Sequence, residues 1–163
     1  MRDAGELKKQ LPAEVQEVLN RHEAAGTTND PAYRKAEGEY NERFVTRSPA
    51  GPADPQCAES LRNRTMYEQM WGPTEFFATG SLKDFDVTGR LGESRSPVLF
   101  LNGEYDEARP ETAARYQTLI PGARLEVVPE PAHSLLGDQP ARTVEVLRRF
   151  LVPVEGTVKR GSR

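Results

Sequence analysis

Apolar and polar positions alternate along this chain with two different periods, and the change comes near residue 80. From Glu6, Val15, Val18, Leu19 and His22 recur at helical spacing, with Leu11-Pro12 near the start and Gly26 at the stop. Asp30-Pro31 supplies an N-cap and a proline at the first helical position, so a second helix is expected to carry Tyr33, Ala36, Tyr40 and Phe44 on one side. Ser48 to Pro55 reads as a loop. A further helix or pair is expected from about Gln56 to Trp71, with Cys57, Leu61, Met66 and Met70 facing inward. Gly72-Pro73 breaks it, and Thr74-Glu75-Phe76-Phe77 opens a new turn or short helix. The first half is therefore expected to be helical throughout, with no strand.

After Gly80 the pattern shortens. Leu82 to Val87 is a bridging segment, and Gly89 to Ser96 a polar loop. Val98-Leu99-Phe100-Leu101 is an apolar run without alternation, as expected of a strand covered on both faces. Pro110, Ala113, Tyr116, Ile120 and Pro121-Gly122 mark a crossover helix. Leu125 to Val128 is the second strand. Asp138 as a cap, then Val144, Leu147 and Leu151, predict a closing helix, with a polar, frayed tail from Val154. A β-α-β crossover implies that the two strands are parallel and close to one another. Two short strands and two helices bury too little apolar surface to hold a sheet alone, so the inward faces of Val98 to Leu101 need further strands.

Composition narrows the function classes. Over 163 residues, hydrophobic content of 36% is low and charged content of 29% is high, which fits exposed helix or a core completed from elsewhere. A net charge of −3, with no basic block interleaved with aromatics, argues against nucleic acid. Lone Cys57 leaves no intrachain disulfide and no cysteine metal cluster. No apolar run approaches the ~20 residues of a membrane span, and Met1 to Gly5 lacks the apolar core of a secretory signal. The expectation is a soluble, cytoplasmic protein with no cofactor, no nucleic-acid partner and no membrane partner.

Chemistry concentrates between Pro97 and Pro140. Asp106, in the turn Asn102-Gly103-Glu104-Tyr105-Asp106-Glu107, lies just beyond one strand end, and His133, in Ala132-His133-Ser134, just beyond the next. Carboxyl ends of parallel strands are where ligands and chemistry collect. Acid then base, each after a strand, is the second half of the Ser…Asp…His chain order of α/β-hydrolases. The rival reading of Asp106 is an ordinary turn residue, and of His133 a surface loop histidine. The adjoining strands favour the functional reading. The first half of that order is missing: no Gly-x-Ser-x-Gly occurs, and Gly92-Glu93-Ser94-Arg95-Ser96 ends in Ser and precedes a strand. His22 is expected to serve packing, and Met66 and Met70 to fill a core.

From about Glu6 to Leu151 the chain resembles the C-terminal part of the proline iminopeptidases, serine aminopeptidases of the α/β-hydrolase fold. The likeness is carried by Leu11-Pro12, Trp71-Gly72-Pro73-Thr74-Glu75-Phe76, Thr79 to Val87, Pro97-Val98-Leu99, Gly103-Glu104-Tyr105-Asp106-Glu107 and Ala132-His133-Ser134. It implies an incomplete α/β-hydrolase fold: a helical cap over residues 1–83, the C-terminal β-α-β-α of the parallel sheet over 84–153, and a polar tail over 154–163. It implies Asp106 as triad acid and His133 as triad base. It implies Glu75, from the cap, and Glu107 as the carboxylates that hold a substrate's free amino terminus, with Phe76 and Phe77 as contributors to an apolar wall for proline. The implied substrate is a peptide or amino-acid amide with a free N-terminus. With the nucleophile half absent, this chain alone is expected to be inactive unless an N-terminal hydrolase fragment complements it. The competing readings are another α/β-hydrolase, of esterase or epoxide hydrolase type, and a non-catalytic helical interaction module.

Overall fold

A computed structural model of the chain describes residues 2–48 and 63–161. The described chain divides into two compact units, Met1–Asp86 and Val87–Arg163.

The first unit is helical. Helix α1 spans Arg2–Lys8, α2 Ala13–Ala25, α3 Pro31–Phe44 and α4 Arg64–Met70. Pro12 sits at the N-cap of α2, and Gly26 ends that helix in the left-handed region at φ 66°, a conformation that glycine adopts at the least cost. Asp30 caps α3, its side chain accepting from the Ala32 amide at 2.8 Å, with Pro31 in the first turn. The apolar stripes of these helices meet in one core of Leu7, Leu11, Val15, Leu19, Tyr33, Ala36, Tyr40, Phe44 and Phe76. Tyr40 stacks obliquely on Phe44 at 5.1 Å and on Phe76 at 4.5 Å between ring centroids. Polar groups inside this unit are tied to one another. The Lys8 ammonium donates to Asn20 Oδ1 and to Glu23 Oε2, at 2.9 and 2.7 Å. The Tyr33 hydroxyl lies 3.4 Å from both Glu23 Oε1 and Thr74 Oγ1, and burial pushes its pKa well above the ordinary tyrosine value. His22 serves as a tie at the end of α2, with Nδ1 2.8 Å from Thr27 Oγ1.

One expectation for this unit fails. Cys57, Leu61 and most of the helix expected from Gln56 lie outside the described residues. The part seen, α4, is seven residues long and buries none of them; Met66 and Met70 are exposed rather than inward. Seven residues make about two turns, and neither turn presses a side chain into the core. Thr74 to Phe77 forms the turn, closed by an isolated antiparallel bridge, of the turn or short helix expected there.

In the second unit, strand β1 (Leu99–Gly103) and strand β2 (Arg124–Val128) pair in parallel, Leu99 opposite Arg124 and Gly103 opposite Val128, joined by crossover helix α5 (Pro110–Leu119). Val128, Ala113, Ile120 and Val146 are buried between sheet and helices. The expected polar loop contains a 3-10 helix, Thr88–Glu93. A short helix α6 (Leu135–Asp138) precedes the closing helix α7 (Pro140–Gly161).

The closing helix differs from expectation in three ways. Asp138 does not cap it; its Oδ2 accepts from the Ala132 amide at 2.9 Å. The buried stripe is Thr143 and Val146, while Leu151 is exposed. The Thr143 hydroxyl donates to the carbonyls of Leu135 and Gln139, which turns that residue inward, and Val146, three residues on, shares its face. Residues read as a frayed tail continue α7 to Gly161, through Pro153.

Leu19 is fully buried in the first core. Leu19→Ala is expected to lower the free energy of unfolding by about 3 kcal/mol, read from urea denaturation. A loss below about 1 kcal/mol would mean that this core is loosely packed.

Candidate active site

The ends of β1 and β2 carry the site. After Gly103 the chain turns at once, and Asp106 drops its carboxylate beneath the turn, where the residue is 3% exposed. The acid is held from several sides. Oδ1 accepts from the Ala108 amide at 2.8 Å, two residues on, an Asx-type turn that aspartate makes readily. Oδ2 accepts from Asn102 Nδ2 at 3.3 Å, and Asn102 also donates to the Ala108 carbonyl at 2.7 Å. The last partner comes from beyond β2: His133 Nδ1 lies 2.9 Å from Asp106 Oδ1.

An ionised carboxylate only accepts, so Nδ1 carries the proton, and in the neutral ring Nε2 is left as the acceptor. The His133 side chain is 55% exposed while its acid partner is buried. The pair thus consists of a fixed, desolvated carboxylate behind a half-exposed imidazole, an arrangement suited to taking a proton from a group placed before it.

Of the four residues singled out in the sequence, Asp106 and His133 are brought into contact. Glu107, next in the chain to Asp106, is buried. Glu75 belongs to the other compact unit, in the turn after α4, where its Oε1 accepts from the Tyr67 hydroxyl. Phe76 is buried in the helical core against Tyr40, so it is not free to wall a substrate; Phe77 is partly buried against the same core. Sequence reasoning missed Asn102. An amide-bearing residue at the end of an apolar strand, four before the acid, is the signal that could have found it. Among the described residues no cluster of His, Cys, Asp and Glu could hold a metal ion, and no helix is long and apolar enough to cross a membrane.

No family model matches the sequence. Individual proteins do. The chain is 38% identical over 144 residues to the proline iminopeptidase of Heyndrickxia coagulans, a match covering 88% of this chain and 50% of that one. Against the proline iminopeptidase of Levilactobacillus brevis it is 33% identical over 141 residues, 83% of this chain and 46% of the other. Among solved structures, that of the proline iminopeptidase of Mycobacterium smegmatis superposes with a TM-score of 0.80 at 36% identity, covering 96% of this chain and 53% of that one. The crystal structure of VinJ superposes with a TM-score of 0.86 at 34% identity, over 94% and 52%. The chain is related to the proline iminopeptidases. It spans about half the length of the curated relatives it matches. Its architecture is accordingly an incomplete α/β-hydrolase fold, helical cap first and two parallel strands after.

Removing the buried acid leaves the Ala108 amide without its acceptor and Asn102 Nδ2 with only one of its two. Asp106→Ala is expected to cost about 3 kcal/mol in urea unfolding. A change under about 1 kcal/mol would mean that these donors are satisfied without it.

Proposed function

We propose that this chain supplies the acid, the base and the amine-recognition carboxylates of a serine aminopeptidase that releases N-terminal residues, preferably proline, from peptides or amino-acid amides. The observation that carries this reading is the 2.9 Å contact between His133 Nδ1 and Asp106 Oδ1 at consecutive strand ends, in a chain similar over most of its length to proline iminopeptidases.

The chemistry is acyl transfer. Nε2 of His133 takes the proton of a serine hydroxyl as its oxygen attacks the carbonyl after the first residue. The same nitrogen then hands the proton to the departing amine. It repeats the exchange with water, which frees the acyl group from the serine. Asp106 keeps the ring in the tautomer that makes Nε2 the acceptor and stabilises the imidazolium; loss of the equivalent acid in a known triad costs ~10⁴ in turnover. An exopeptidase must recognise the chain end, and a free α-amino group is a cation whose unpaired burial is prohibitive. Glu75 and Glu107 are the carboxylates suited to it, each forming charge-assisted hydrogen bonds about twice as strong as neutral ones. The sequence contains no Gly-x-Ser-x-Gly. The serine and its oxyanion hole therefore come from a nucleophile-bearing half of the hydrolase fold outside these 163 residues.

The 163-residue chain alone is expected not to hydrolyse a prolyl chromogenic amide. Turnover by the purified chain that disappears with His133→Ala would overturn the missing-nucleophile argument. Joined to the nucleophile-bearing half of a relative, the chain is expected to cleave the free prolyl amide and refuse its N-blocked counterpart. Glu75→Gln and Glu107→Gln are each expected to raise KM for the free amine about tenfold or more. Equal cleavage of blocked and free substrates would favour an esterase-type hydrolase instead.

A further inference from the structure

The contact between His133 and Asp106 joins two loops 27 residues apart in the chain, and neither loop is held there by that contact alone. The loop that carries His133 begins at Pro129, as β2 ends, and its second residue, Glu130, has φ 80°, the only non-glycine among the described residues in the left-handed region. A glutamate is strained there, and such a backbone persists only where its surroundings over-determine it.

The surroundings are on the acid turn. The Glu104 carboxylate accepts from the Glu130 amide at 3.0 Å. The Tyr105 amide donates to the Pro131 carbonyl at 3.1 Å. Gly103 lies so close beneath the loop that a Cβ there would sit 2.2 Å from the Ala132 carbonyl oxygen and 2.4 Å from that of Pro131, both backbone atoms that cannot swing aside. A further link comes from behind: Gln139 Nε2 donates to Glu130 Oε2 at 3.1 Å.

We propose that Gly103 and Glu104 are positioning residues that set His133 against Asp106: the missing side chain of one lets the His133 loop settle onto the acid turn, and the carboxylate of the other latches it there through the Glu130 amide. Glu104 is itself exposed and touches neither ring nor acid in any bond described. Its role is thus separable from the proton transfer. This rests on the reading of Asp106 and His133 as a working pair.

The chain has two histidines, which makes the test direct. In the 163-residue protein, a ¹⁵N-edited proton spectrum of the imidazoles should show a low-field Nδ1 proton from His133, bonded to a buried carboxylate. His22, bonded to Thr27, is the internal reference. Glu104→Ala is expected to lose that low-field signal to solvent exchange, and Glu104→Gln, which keeps an acceptor oxygen, to retain it. Gly103→Ala should lose it as well. The methyl signals of buried Val128 and Val146 report whether the unit stays folded. Retention of the low-field proton in Glu104→Ala overturns the inference. So does its loss together with the dispersion of the Val128 and Val146 methyls, because the role would then be stability alone. A wild-type chain without the low-field proton would instead remove the pairing of Asp106 and His133, and with it the proposed function.

Discussion

Everything at the candidate site depends on keeping one carboxylate charged and out of water. Asp106 is 3% exposed, and a bare carboxylate at such a position would be very costly. It is tolerated because the turn around it converges on its oxygens: the Ala108 amide and His133 Nδ1 on one, Asn102 Nδ2 on the other. Those donors cannot be rearranged independently. Asn102 is the fourth residue of β1, Ala108 closes the turn just before α5, and His133 hangs from the loop after β2. The parallel register that sets Gly103 opposite Val128 brings these segments level. The chemistry of the pair is thus a consequence of strand pairing: without the β1–β2 register, the acid would lose its histidine.

The same register shows what the second unit lacks. A two-stranded parallel sheet is a poor structure in water, since parallel strands occur almost only in sheets covered on both faces. Leu99, Phe100 and Leu101 are only partly buried, although the sequence from Val98 to Leu101 is that of an interior strand. Hydrophobicity and burial disagree at these positions, and the disagreement matches the comparison in which this chain spans about half the length of its relatives. The helical unit is different: Leu19, Tyr33 and Tyr40 are fully buried within it.

Much of this was legible in the sequence because it rests on local rules. Asp30-Pro31 and Gly26 mark helix ends by chemistry that acts within a few residues, and those ends are where the punctuation puts them. The parallel pair follows from a strand, a helix and a strand in succession. What was not legible depends on partners distant in the chain. Met66 and Met70 are apolar and at helical spacing, yet exposed, because periodicity says which residues share a face and not whether that face meets anything. Asp138 looks like a helix cap, but its carboxylate is engaged by the Ala132 amide in the loop that carries His133. At the site, the acid and the base could be read from order and strand ends, whereas Asn102 and Glu104 act through contacts that only the folded register creates.

Asp106 and His133 are proposed to work as an acid–base pair for a serine and an oxyanion hole supplied from outside these 163 residues. The most direct measurement is the rate at which a fluorophosphonate labels the serine in this chain joined to the nucleophile-bearing half of a relative. Rapid labelling that is abolished by His133→Ala is the result expected, since the reagent reacts only with a hydroxyl whose proton a positioned base accepts. Labelling at the same rate with and without His133 would contradict the account.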